Sequence, residues 1–178
     1  MPRRARKERR EERRGGGQAS QVNRYQMKQK IVSIGQDSYI ENAQGQRVFH
    51  VDGKALRIRD TLLFKDMQGN ELCRIQEKKV RIKDTMEVER GGKVAAKVKK
   101  AIISPVRDRW TVKIGGGPDL DIQGNILDHE YKIEEGRQEV AEVSKKWFRV
   151  RDTYGVEVGP GQDDILILAL TVAVDMMA

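Results

Sequence analysis

A closed antiparallel β-barrel around one buried apolar helix is the fold this sequence predicts, and two observations predict it. The first is the C-terminal run DDILILALTVAVDMMA. Nine of the ten residues from Ile165 to Val174 are apolar, Thr171 being the exception, with Asp163 and Asp164 before and Asp175 after. A ten-residue helix spans about 15 Å, half of the ~30 Å that a bilayer core requires. Hydrophobic on all sides, it must be surrounded by protein. The second observation is that the chain before it reads as short alternating strands. In such a chain the natural container for the helix is a barrel.

The N-terminus comes first and stands apart. Residues 1–14 hold eight Arg or Lys and three Glu, and GGGQAS follows. The segment has no apolar face to dock, although its Arg and Glu can pair at helical spacing. Residues 1–20 therefore read as a disordered basic arm, and residues 21–178 as the barrel domain. The formal net charge of +8 is unevenly spread: +5 in residues 1–14, +2 in 15–73, +6 in 74–100 and −5 in 101–178. Cys73 is the single cysteine, which excludes an intrachain disulfide and a four-thiolate metal site. A signal peptide is not expected, because no apolar stretch follows the charged start. No run reaches ~18 apolar residues, so no transmembrane helix is expected either. The expected location is cytoplasmic, peripheral to a membrane if anionic lipid is the partner.

From Tyr25 onward the period is two. Leu56 and Ile58, Val80 and Ile82, Met86 and Val88, and Val94, Ala96 and Val98 alternate with polar residues. So do Trp110, Val112 and Ile114, then Leu120 and Ile122, Tyr131 and Ile133, Val140 to Val143, Phe148 and Val150, and Tyr154, Val156 and Val158. Each set predicts a strand with one face buried. Turn signals separate them: AQG at Ala43, VDG at Val51, MQGN at Met67, RGG at Arg90, GGGPD at Gly115, IQGN at Ile122 and YG at Tyr154. Their close spacing favours an antiparallel meander over βαβ units. The phrases RIRDT, RIKDT and RVRDT end at Thr61, Thr85 and Thr153, and their Asp-Thr pair predicts the end of a strand. The echo of DMQGN in DIQGN points to repeated hairpins. In the terminal element, Val172 and Val174 would suit a strand. The acidic cap, Ala169 and Ala173 at helical spacing and the closing methionines predict a helix instead.

These features resemble the LURP-one-related family of the tubby C-terminal-like superfamily, which includes phospholipid scramblases. The likeness is carried by YQMKQKIVSIGQDSYIENAQGQRVFHVDGKAL, LLFKDMQGNELCRIQEKKVRIKDTMEV, DRWTVKI, WFRVRDTYGVEV and DDILILALTVAVDMM. Its strongest marks are FxVxGKxL at Phe49 to Leu56 and DxxLxLAL at Asp163 to Leu170. The resemblance implies a twelve-stranded antiparallel barrel closed around the C-terminal helix and no known enzymatic activity. Tubby relatives bind phosphoinositides through basic surface residues, and scramblase relatives associate with membranes. This chain lacks a palmitoylatable cysteine cluster, and its terminal helix is too short to span, which argues against scramblase activity.

No GxSxG, P-loop, HExxH or paired-cysteine motif is present, so neither an enzyme nor a cofactor is expected. His50 and His129 lie far apart without an acid at ligand spacing, and a structural or surface role is expected for both. Cys73, in NELCRI, reads as a buried inert thiol. The functional candidate is the basic middle: Lys78, Lys79, Arg81 and Lys83 with Arg74, then Lys97, Lys99 and Lys100 with Lys93. On strands, Lys79, Arg81 and Lys83 share one face, as do Lys97 and Lys99. If the two segments are neighbours, their cations form a patch that attracts phosphate. The plain alternative is a lysine-rich, solvated exterior that discourages edge pairing. Two function classes follow. One is a binding module for an anionic membrane surface, a phosphoinositide-like headgroup or a protein partner. The other is a nucleic-acid accessory protein whose arm contacts phosphates, disfavoured because the arm has no aromatics for stacking.

Overall fold

The computed structural model describes residues 21–29, 36–53, 61–78, 85–101, 108–148 and 150–178. The predicted arm over residues 1–20 lies outside them, as do Leu56, Ile58, Val80 and Ile82.

Twelve strands follow one another: β1 (Asn23–Lys28), β2 (Ser38–Asn42), β3 (Arg47–Asp52), β4 (Thr61–Asp66), β5 (Glu71–Lys78) and β6 (Thr85–Arg90). They continue as β7 (Lys93–Lys100), β8 (Asp108–Ile114), β9 (Leu120–Asn125), β10 (Glu130–Glu135), β11 (Gln138–Ser144) and β12 (Thr153–Val158). Each pairs antiparallel with the next, and β1 pairs with β12 from Asn23↔Val158 to Lys28↔Thr153, closing the barrel. The period-two residues face inward. Ala96 and Val98, Trp110 and Val112, Ile122, Ile133 and Val156 are buried, and all belong to one core. Outward positions carry Lys, Arg, Glu and Gln. This is the inverse of a lipid-facing barrel, which is apolar outside and polar within.

The helix α1 (Asp164–Met177) fills the lumen, as the apolar run predicts, and every residue from Ile167 to Val174 is buried. Asp163 is the N-cap, its Oδ1 accepting from the Leu166 N–H at 3.1 Å. Thr171, the polar residue inside the run, donates to the Ile167 carbonyl at 3.0 Å, so its hydroxyl is satisfied without leaving the core. Fully burying side chains such as Leu168 and Leu170 contributes about 1.5–3 kcal/mol each. None of the helices among the described residues is long and apolar enough to cross a membrane.

Strand alternation gives the barrel two unlike rims. At the turn rim, short connections join β2–β3, β4–β5, β6–β7, β8–β9 and β10–β11, and α1 enters there. The other connections lie at the loop rim, where Asp175 near the C-terminal end of α1 meets Tyr154 and His129. The predicted turns at Ala43, Met67, Arg90 and Gly115 all fall at the turn rim.

Four expectations are corrected. The YG signal falls inside β12, where Gly155 faces outward beneath two aromatic rings. A Cβ there would lie 2.7 Å from both Trp147 and Phe148. The glycine admits the rings and turns nothing. Phe148 and Val150 belong to the β11–β12 connection, not to a strand. DMQGN makes the β4–β5 turn, but DIQGN lies in β9. There Gly124 (φ 145°) packs so closely that a Cβ would meet the Glu130 carbonyl at 2.4 Å. Finally, the Asp-Thr phrases precede strands: Thr61, Thr85 and Thr153 open β4, β6 and β12.

Candidate anion-binding face

On β5 the outward side chains are Arg74, Gln76 and Lys78, and on β7 they are Lys97 and Lys99, because Cys73, Ile75, Ala96 and Val98 point into the core. The two lysine segments are not direct neighbours. β6 lies between them, pairing Gln76↔Glu87 on one side and Glu87↔Lys97 on the other. Glu87 faces outward but is covered, its side chain only 2% exposed, and Lys78 and Lys97 each reach its Oε1 at 3.1 Å. Burial pushes the Glu87 carboxyl pKa up, yet hydrogen bonds and charge from the two lysines outweigh it, and the net shift is downward. Gln76 donates to Glu89 at 2.6 Å, and Arg74 pairs with Glu71 at 2.9 Å. Along β5 and β6 the cations are thus interleaved with acids.

The other side of β7 differs. Lys97 stands opposite Lys113 of β8 and Lys99 opposite Thr111, with Arg109 one outward position further. Arg109 reaches Asp121 at 3.5 Å, and Lys113 pairs with Asp119, both acids lying at the β9 side. Lys99 and Lys100 are exposed, and among the described residues no carboxylate pairs with either. The Lys100 ammonium lies 5.6 Å from the ring centroid of Trp110, its buried register partner. The positive surface is therefore the outer face of β7 and β8 together with the rim end of β7. The structure brings Lys97, Lys99 and Lys100 together and separates them from Lys78 by Glu87. Lys79, Arg81 and Lys83 lie outside the described residues.

The sequence reading missed Arg109 and Lys113. Their alternation in DRWTVKI was visible as a strand, and the missing step was its hairpin partner. Pairing the run from Lys93 to Lys100 with it places both beside Lys97 and Lys99. The acidic counterpart lies further round, where Asp121, Glu134, Glu139 and Glu142 occupy the outer faces of β9, β10 and β11. This division matches the charge of the middle and C-terminal thirds of the chain.

Elsewhere the chemistry is structural. At the loop rim Asp175 accepts from the Tyr154 hydroxyl at 2.5 Å and lies 3.3 Å from His129 Nε2. Asp128 and Glu130 flank His129 in sequence, yet the acid beside its ring is Asp175 at the end of α1. Burial, foremost, and the Asp175 charge push the Tyr154 phenol well above its ordinary pKa. Cys73 is buried, and burial pushes its thiol up to about 12, as expected of an inert thiol. Among the described residues, no group of three or more His, Cys, Asp or Glu could hold a metal ion.

A twelve-stranded barrel filled by its own C-terminal helix defines the class of this protein. Residues 23–175 match the LURP-one-related family, and the chain belongs to it. It is 26% identical over 151 residues to Uncharacterized protein YxjI of Bacillus subtilis (strain 168), covering 85% of this chain and 91% of that one. Among solved structures it is similar to an X-ray structure of a protein from Arabidopsis thaliana. The TM-score is 0.67 at 20% identity, covering 89% of this chain and 93% of the other, a likeness of fold.

Proposed function

We propose that the protein is a non-catalytic binding module that recognises anionic phospholipid headgroups through the outer face of β7 and β8. One observation carries this reading: Lys97 and Lys113 stand directly opposite each other on neighbouring strands. Like charges at such positions destabilise a sheet, and here each is offset from its outer side by a single carboxylate, Glu87 for Lys97 and Asp119 for Lys113. Lys99, Lys100 and Arg109 extend the positive charge toward the loop rim instead of relieving it. A ligand that brings its own anions suits such a surface, and each cation near an anionic membrane contributes ~1 kcal/mol. No cofactor enters this reading.

The test is co-sedimentation with phosphatidylcholine vesicles, with and without phosphatidylserine, beside a DNA gel shift. It uses the full chain, the chain lacking residues 1–20, and a variant with Lys97, Lys99, Lys100, Arg109 and Lys113 all replaced by Gln. The expected result is sedimentation with the anionic vesicles that the Gln variant loses while its circular dichroism stays unchanged, since exposed charges add little to folding. Equal sedimentation of wild type and variant at low salt would overturn the reading. So would a DNA shift that depends on residues 1–20 with no vesicle binding, which would favour the nucleic-acid class.

A further inference from the structure

We infer that the protein meets an anionic bilayer end-on, with the loop rim toward the membrane and Leu127 and Val150 entering the interface. This orientation rests on the anionic-lipid reading above and adds to it a direction and an apolar component.

Leu127 is 71% exposed and Val150 59%, the most exposed large apolar side chains among the described residues. Both sit at the loop rim, Leu127 between β9 and β10 and Val150 between β11 and β12. Their two connections are held together. Glu130, at the start of β10, accepts from the Ser144 hydroxyl at 2.9 Å and from the Lys145 backbone N–H at 3.0 Å. Among the described residues only His129 (φ 54°) and Asp152 (φ 59°) are non-glycine residues with positive φ, and each lies in one of these same connections. His129 is tied in turn to Asp175 of α1. Each tip thus stands two positions before a residue in the left-handed region, a conformation uncommon outside glycine.

Charge at this rim fits the same partner. Counting exposed residues within two positions of each rim among the described residues, the loop rim has seven cations and three acids, the turn rim five of each. Other acids at the loop rim are taken up internally, Glu130 by Ser144 and Asp175 by Tyr154. The Lys146 side chain, 81% exposed and 3.6 Å from Glu130, adds a cation to the same pair of connections. A protein partner is the poorer match, because the cores of such interfaces are depleted in Lys and enriched in aromatics. Isolated aliphatic tips among long lysines suit a headgroup layer, where ammonium groups meet phosphates and short apolar chains lie just beneath. Lys99, Lys100 and Arg109 sit at the rim end of the β7–β8 face, so one pose engages both surfaces.

The experiment places an environment-sensitive fluorophore on Leu127→Cys, Val150→Cys or, at the opposite rim, Met67→Cys in the full chain. Buried Cys73 leaves the introduced thiol as the one labelled. With phosphatidylserine-containing vesicles, the first two probes should brighten, shift to the blue and be quenched by nitroxide lipids, while the third stays as in water. Leu127→Ser with Val150→Ser should weaken vesicle affinity by roughly fivefold or more. If the protein sediments but both loop-rim probes behave like the Met67 probe, the orientation is overturned and the β7–β8 reading stands. If the Met67 probe alone responds, the opposite rim faces the membrane. Failure of every variant and the wild type to sediment removes the lipid reading and the orientation with it.

Discussion

At the turn rim, connections of two to five residues fold on themselves. Asn42 Oδ1 accepts from the Gln44 and Gln46 backbone N–H groups, and Asp66 Oδ1 repeats the pattern with Gln68 and Asn70. Gly45 and Gly69, at φ 76° and 90°, complete the two turns. At the loop rim the β9–β10 turn has the same local element, Asn125 Oδ1 accepting from the Asp128 backbone N–H at 3.1 Å, and contacts from distant parts of the chain are added to it. Glu130 holds Lys145, and Asp175 of α1 receives Tyr154 and His129. The difference teaches that these two turn-rim hairpins close by local hydrogen bonding alone, whereas the described loop-rim connections add ties to other strands and to the helix. α1 joins the two, bound at the turn rim by Arg90–Asp163 at 2.6 Å and Tyr25–Asp164 at 2.5 Å.

Removing that link should have the largest effect. Leu168→Asp puts an unpaired carboxylate where Leu168 is 0% exposed. Such burial costs several kcal/mol, comparable with a whole domain's ~5–15 kcal/mol. We expect the variant to be insoluble or molten, and truncation after Gly161 to fail as well, since the emptied lumen is apolar. Soluble yield and thermal melts check this. A cooperative melt near wild type for the truncation would break the dependence of either rim on the helix.

The two ends of α1 should then differ. Asp175→Ala leaves the Tyr154 hydroxyl buried without its acceptor and removes the carboxylate beside half-buried His129, and should cost about 1–3 kcal/mol. Asp163→Ala removes a half-exposed cap and its Arg90 pair, and should cost about 1 kcal/mol. Denaturant midpoints decide the order, and a larger loss at Asp163 would reverse the comparison. The pair also separates by pH. The hydrogen bond from Arg90, foremost, holds the Asp163 carboxyl below its ordinary range. Its stabilisation is therefore complete above the unfolded carboxyl pKa and is lost as pH falls through the lower folded value. Asp163→Asn should flatten the acid limb of a stability–pH curve.

The same contrast explains what was legible in the sequence. Turns closed by Gly and a side chain two to four residues away announce themselves locally, so those at Ala43 and Met67 could be read directly, and glycines alone marked those at Arg90 and Gly115. The central helix was legible because a ten-residue run apolar on every side needs a protein interior, and the acidic cap and the spacing of Ala169 and Ala173 favour helix over strand. Gly155 misled because its purpose, accommodating Trp147 and Phe148, arises from rings on another connection. The partner of His129 was hidden for the same reason, 46 residues away at Asp175. In the candidate face the lysines were visible individually. The strand separating them, and the opposition of Lys97 to Lys113, emerge only from the order of pairing. Gly155→Ala tests one such long-range reason: a methyl 2.7 Å from two rings should cost about 1–3 kcal/mol by overpacking. A neutral result in thermal melts would mean that the rings move aside freely.

The smallest expected effect concerns Glu87, which restrains the basic face from within. Lys78 and Lys97 both bend onto this covered carboxylate, so part of their charge is spent inside the sheet. Glu87→Gln keeps the shape and removes the anion. Because the lysines hold the Glu87 pKa down on balance, its charge contributes stability above the ordinary carboxyl range, and the variant should lose roughly 1 kcal/mol at neutral pH. The two ammonium groups, released toward solvent, should strengthen sedimentation with phosphatidylserine-containing vesicles by about fivefold, the equivalent of one added surface cation. The gain should fade with added salt, since exposed charges are screened. A variant that is less stable yet binds no better would show that Lys78 and Lys97 serve only to cover Glu87, leaving Lys99, Lys100, Arg109 and Lys113 as the whole of the anion-binding face.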